Sequence, residues 1–244
     1  RMTADGAAKA RELCMTSLER DPQYVHAHSL LAFVCIIELV LGWGDRSPSE
    51  LKAQAADAAR TGIKIDPDDE AARTHLALVN FMTGKHDAAI EACETVLGIN
   101  PNYAQAVGVL GTIYAYSGAE AYERTVDYLD RAIRLSPNDP WLPIYFGVRG
   151  TAEYIKGNIN AAIEWSRKGL QRNPDFFSAQ RNLICTYALR GELEKAHEAL
   201  DEYKRIQPKI SIAGFIQNAR PAFKHQRDFD LVIRGLRLAG VPEE

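Results

Sequence analysis

Apolar residues recur along this chain at helical spacing and are interrupted at regular intervals. Near the end, Ile212, Phe215, Ile216 and Phe223, followed by Phe229, Val232, Ile233 and Leu236, mark two amphipathic helices with charges on their other faces. Near the start, Leu30 to Leu41 is apolar on most sides and broken only by Glu38. That run covers about 12 residues, whereas a membrane span takes about 20, so it predicts a buried helix. A helix apolar all round must bury more surface than one neighbouring hairpin offers.

The interruptions carry the architecture. Prolines after a polar residue stand at Asp21-Pro22, Asp66-Pro67, Asn100-Pro101, Ser136-Pro137, Asn173-Pro174 and Gln207-Pro208, spaced by 45, 34, 36, 37 and 34 residues. Proline cannot continue a helix and pushes its predecessor out of the helical region, so each marks a helix stop. Between them, Gly84, Gly118, Gly157 and Gly191 fall where one helix must turn into the next. Two extra residues after Gly118 and three before Gly157 explain the longer intervals, and a longer insertion follows Gly42-Trp43-Gly44.

Small residues repeat in register. Twelve positions before the six prolines stand Ala10, Ala55, Ala89, Thr125, Ala162 and Ala196, where only a small side chain lets two helices approach. Leu31-Ala32, Leu76-Ala77 and Leu110-Gly111 supply the matching knob and small partner on the preceding helix. Period, glycine, alanine and proline together make the chain similar to the tetratricopeptide repeat family over about residues 1 to 208. The aromatic positions of that family are kept only in part, at Phe146, Tyr114 and Tyr187.

The resemblance implies an all-α, right-handed solenoid of antiparallel helix hairpins forming a single domain over 1–244. Residues 1–21 are expected to be the orphan second helix of a repeat whose first helix lies upstream. Five hairpins should fill 22–208, the first with an insertion near 42–50, and 209–244 should form a helical cap, since a repeat array needs a terminal unit with a polar outer side. Within the family, Gly42-Trp43-Gly44-Asp45 and the ending from Gly235 to Glu243 resemble the C-terminal repeat regions of bacterial class III adenylate cyclases. Similar regions follow winged-helix transcription regulators. That narrower likeness implies a regulatory or sensing appendage of a larger bacterial signalling protein, with any cyclase chemistry in an upstream domain.

Composition and motifs bound the function. The formal charge of −3, from 29 basic and 32 acidic side chains, gives no field that would argue for nucleic acid or anionic lipid. Cys14, Cys35, Cys93 and Cys185 form no CxxC pair, so free thiols in a reducing, cytoplasmic setting are expected. Gly84-Lys85 lacks the upstream glycine of a phosphate-binding loop, and no GxGxxG or GxSxG occurs. His26 and His28 point about 200° apart around a helix and cannot share one metal ion. No catalytic site, cofactor, metal or small-molecule substrate is expected, and the chain reads as a scaffold and not an enzyme.

By analogy with the family, the first helix of each hairpin lines the binding surface. The expected groove comprises Phe33, Thr74, Leu78, Phe81, Gln105, Thr112, Tyr116, Thr151, Tyr154 and Arg181, with Ser29 and Cys185 beside them. Arg181 is the one cation in this set, so the family's carboxylate clamp is not expected. A protein or peptide partner held by aromatic contacts and hydroxyl hydrogen bonds is the leading reading. Packing of Tyr116 and Tyr154 between hairpins stands beside it. The alternative is a homodimer joined through Ile36, Ile37, Val40 and Trp43, which would assemble an upstream catalytic or DNA-binding domain.

Overall fold

A computed structural model describes residues 3–244. Thirteen α-helices and two single-turn 3-10 helices make up the described residues, which contain no strand. The chain divides into two compact units, Arg1–Val109 and Leu110–Glu244.

In the first unit, α1 (Ala4–Arg20) packs against α2 (Val25–Leu41), which forms a hairpin with α3 (Pro48–Ile65). A second hairpin, α4 (Glu70–Met82) with α5 (His86–Ile99), sets α4 beside α2, and α6 (Ala104–Ala115) begins at the end of this unit. The residues before the prolines prove to be turn-formers. Asp21, Asp66 and Asn100 each close a helix, then accept a hydrogen bond on Oδ1 from the backbone N two residues on, at 3.0, 3.0 and 3.1 Å. The small residues at the repeated packing position are shielded, Ala55 and Ala89 among them.

The insertion after α2 is closed at both ends. Gly42 takes the left-handed conformation that ends α2, and Ser47 with Glu50 forms a capping box that starts α3. Arg46, in between, folds its guanidinium onto Glu38 and Gln54. Glu38, the one charge in the apolar run, is buried and also faces Arg11 of α1 at 3.6 Å. Two cations make a carboxylate tolerable at a position that would otherwise leave a charge unpaired.

The second unit holds the rest of α6, then α7 (Tyr122–Leu135), the hairpin α8 (Leu142–Lys156) with α9 (Ile159–Arg172), and the hairpin α10 (Phe177–Arg190) with α11 (Leu193–Ile206). Gly157 and Gly191 turn each hairpin at φ of 88° and 81°. The two residues gained after Gly118 form a 3-10 turn, Ala119–Ala121. At the end, α12 (Ile212–Ala219) and α13 (Gln226–Leu238) are the two amphipathic helices. They do not extend the hairpin stack. α13 turns back onto α10, and the last residues tie down α12, with Ile212 and Ala213 donating N–H bonds to the carbonyls of Pro242 and Glu243 at 2.8 and 2.9 Å.

Candidate functional site

The first helices of successive hairpins lie side by side in each unit, α2 beside α4 and α8 beside α10. Their covering differs. In the first unit an open cavity of about 490 Å³ lies over α2, α4 and the start of α6. Its α2 wall is a stripe at helical spacing, His26, Ser29, Leu30 and Phe33, facing Asp69, Glu70, Ala71 and His75, with Tyr103 and Gln105 at one end. Leu30 is 46% exposed, a large apolar side chain presented to solvent inside a concave surface.

Polar groups in this cavity are held in place. Ser29 Oγ donates to Asp69 Oδ1 at 3.0 Å, and the same oxygen caps α4 by accepting from Ala72 N. The His75 ring lies 5.5 Å from that of Phe33, and its Nε2 is 3.4 Å from the Gln105 amide nitrogen. Burial pushes His75 down to about 4, opposed only in part by the Ser29 backbone and the Asp69 carboxylate. A ring that stays neutral accepts from the Gln105 amide and adds no positive charge. No Lys or Arg stands among the described residues lining the cavity, so its fixed charges are those of Asp69 and Glu70.

Of the residues expected to line a groove in this unit, Phe33 and Gln105 do so. Thr74, Leu78 and Phe81 are buried instead, Thr74 with its hydroxyl donating to the Glu70 carbonyl at 2.7 Å and Phe81 edge-on to His86. The cavity residues His26, Leu30, Asp69, Glu70 and Tyr103 were not part of the sequence-based expectation. The spacing of 26, 29, 30 and 33 was a legible signal, since these positions share one helix face with Phe33. Of the residues read as a self-association surface, Ile36 and Ile37 are packed inside the unit, while Val40 and Trp43 remain half-buried.

In the second unit the equivalent surface is occupied by the chain itself. Tyr116, Tyr154, Arg181 and Cys185 meet the C-terminal segment. The Tyr154 hydroxyl donates to the Leu231 carbonyl at 2.9 Å, and the Cys185 thiol lies 3.5 Å from the Val232 carbonyl. Tyr116 packs edge-on against Phe223 with ring centres 4.9 Å apart, and its carbonyl accepts from Lys224 N at 3.0 Å. Phe229, Val232, Ile233 and Leu236 of α13 are all buried. Tyr154 is left 2% exposed and Cys185 1%. Burial pushes the Cys185 thiol up to about 12. Thr112 and Thr151 are also buried, Thr151 within 3.1 Å of Asn182 Oδ1 between α8 and α10.

Gly235 explains the closeness of α13. A Cβ built there would stand 2.7 Å from the Cys185 Cβ, 2.8 Å from its Cα and 2.9 Å from the Tyr154 hydroxyl. Any other residue must push the helix away, so the glycine fixes the depth at which α13 lies. At its start α13 is held by exposed ion pairs, Glu120 with His225 at 2.6 Å and with Arg227 at 2.8 Å.

Among the described residues no group of His, Cys, Asp and Glu could hold a metal ion, and no helix is long and apolar enough to cross a membrane.

Comparison with known proteins agrees with this geometry. The sequence model of a family described as tetratricopeptide repeat matches residues 51–104. The BBSome complex member BBS4 of Bos taurus is 28% identical over 153 residues, 63% of this chain and 28% of that protein, so the alignment spans well under half of the relative. Among solved structures, the APC/C hetero-tetramer Cut9-Hcn1 superposes with a TM-score of 0.66 at 17% identity, covering 95% of this chain and 40% of that one. PilW, a type IV pilus biogenesis factor, gives 0.60 at 20% identity, covering 81% and 88%. TTC0263, a thermophilic protein of Thermus thermophilus with the same repeats, gives 0.55 at 20% identity, covering 78% and 91%.

Proposed function

This chain is an all-α array of tetratricopeptide repeats, a protein-interaction scaffold, and from that premise we propose that its working surface is the open cavity of the first unit. The cavity receives a protein segment that places an apolar side chain against Leu30 and Phe33 and a basic side chain toward Asp69 and Glu70. One observation carries the reading: an apolar surface left exposed in a concavity whose fixed charges are all negative. Apolar contact supplies affinity, and the carboxylates select against acidic segments. Of the two, Glu70 is the freer to meet a partner, because Asp69 already caps α4 and holds Ser29.

The place of such a scaffold is, on this reading, a regulatory module of a larger bacterial signalling protein. The likeness of residues 42–45 and 235–243 to the repeat regions of class III cyclases supports it. Self-association through α2 would have to rely on Val40 and Trp43, because Ile36 and Ile37 already pack within the unit.

Fluorescence anisotropy with labelled peptides of about 12 residues tests the cavity. Peptides pairing aromatic or leucine side chains with lysine or arginine are expected to bind, and their acidic counterparts are not. Phe33→Ala or Glu70→Lys should each weaken binding by about tenfold or more, which is about 1.4 kcal/mol. Binding that ignores peptide charge, or that survives both substitutions, would sink the assignment.

A further inference from the structure

Arg181 stands apart from the other shielded arginines of this protein. Arg46 pairs with Glu38, and Arg149 with Glu153 at 2.8 Å and Asp130 at 3.6 Å. Arg181 is only 6% exposed, yet no carboxylate among the described residues pairs with it. Its Nη2 donates to Ser178 Oγ at 2.8 Å, the hydroxyls of Tyr116 and Tyr203 lie nearby, and the ring of Phe215 in α12 covers the guanidinium at 5.2 Å. A buried guanidinium without an anion is costly, and a phenyl face returns only part of that cost.

The segment lying over Arg181 is seated in a way another helix could reproduce. Tyr154 and Cys185 direct their polar hydrogens at main-chain carbonyls of α13, a contact any helical backbone can offer. The ion pairs that hold its first turn, from Glu120 to His225 and Arg227, are exposed, and exposed pairs contribute little. Only the close approach at Gly235 demands a particular side chain.

We propose that the C-terminal segment 212–238 is a displaceable occupant of an acid-accepting groove in the second unit. The partner that takes its place is a helical segment with one apolar face, a small residue to set against Cys185, and a carboxylate that reaches Arg181 where Phe215 now lies. This partner is chemically opposite to the basic segment assigned to the first unit, and the two assignments stand or fall separately.

The intact chain tests the claim on Arg181. Phe215→Glu should slow opening of α13 by about tenfold relative to Phe215→Gln, read as amide hydrogen exchange across α10 and α13. The gap between the two variants should vanish when Arg181→Met is added. If Glu protects no better than Gln while Arg181 is present, the groove does not seek an anion and the proposal is overturned, whether or not the Arg181→Met variants fold. Displacement is tested in trans with a synthetic peptide copying residues 210–240. Carrying Phe215→Glu, it should bind the Gly235→Val chain about tenfold more tightly than the unaltered copy, and equal affinities would overturn the proposal.

Discussion

The two units build the same kind of surface from the same kind of helix, and only one leaves it open. In the first, α2 and α4 present Leu30 and Phe33 to solvent beside two carboxylates. In the second, α8 and α10 carry α13, which buries Tyr154, Arg181 and Cys185. The contrast does not come from the lining alone, since aromatic and polar residues face the groove in both. It comes from the cover that the chain supplies: an amphipathic helix with a glycine at the closest point of approach. In repeat arrays, whether a groove is a free site is decided as much by the segment after the repeats as by the repeats themselves.

Three perturbations separate the units, in descending order of effect. The largest is acid. His75 of the first unit is held neutral to about pH 4, whereas the unfolded chain protonates it near 6.5. Stability of that unit is therefore retained above about pH 6.5 and lost as pH falls toward about 4, by at most about 3 kcal/mol. Urea melts across this window should show the loss, and His75→Gln should flatten the slope whatever it does at neutral pH. Next is Gly235→Val, which forces α13 off Cys185 and should cost the second unit about 2 kcal/mol through overpacking. Hydrogen exchange should rise on α10 and α13 and stay unchanged on α2 and α4. Smallest is Glu120→Gln, which removes the exposed pairs with His225 and Arg227 and should shift the opening of α13 by under about 1 kcal/mol, less at high salt.

Much of the fold was legible because its punctuation is local. Asp66 and Asn100 before their prolines, and Gly157 and Gly191 at the hairpin turns, fix helix ends through backbone geometry that a single residue dictates. Contacts between distant segments were not legible in this way. The pattern Phe229, Val232, Ile233, Leu236 announces a buried helix face but does not say against what, and only the packed structure brings Gly235 to Cys185, fifty residues earlier in the chain. Glu38 shows the same limit: as sequence it interrupts an apolar run, and its tolerance depends on Arg46 and Arg11 arriving from other segments. Within the first groove, Phe33 was found from its helix position, whereas Asp69 and Glu70 read as helix-capping residues until the fold set them across from it.

The occupied groove is tested most directly by the reactivity of Cys185, whose thiol lies beneath α13 and is pushed up to about 12 by burial. Alkylation of the intact chain near neutral pH, followed residue by residue by mass spectrometry, should leave Cys185 almost unlabelled. In Gly235→Val it should react at least about tenfold faster, while Cys93, buried in the first unit, keeps its rate. If Cys185 labels equally fast with and without the valine, α13 does not cover the groove and the contrast between the two units is wrong.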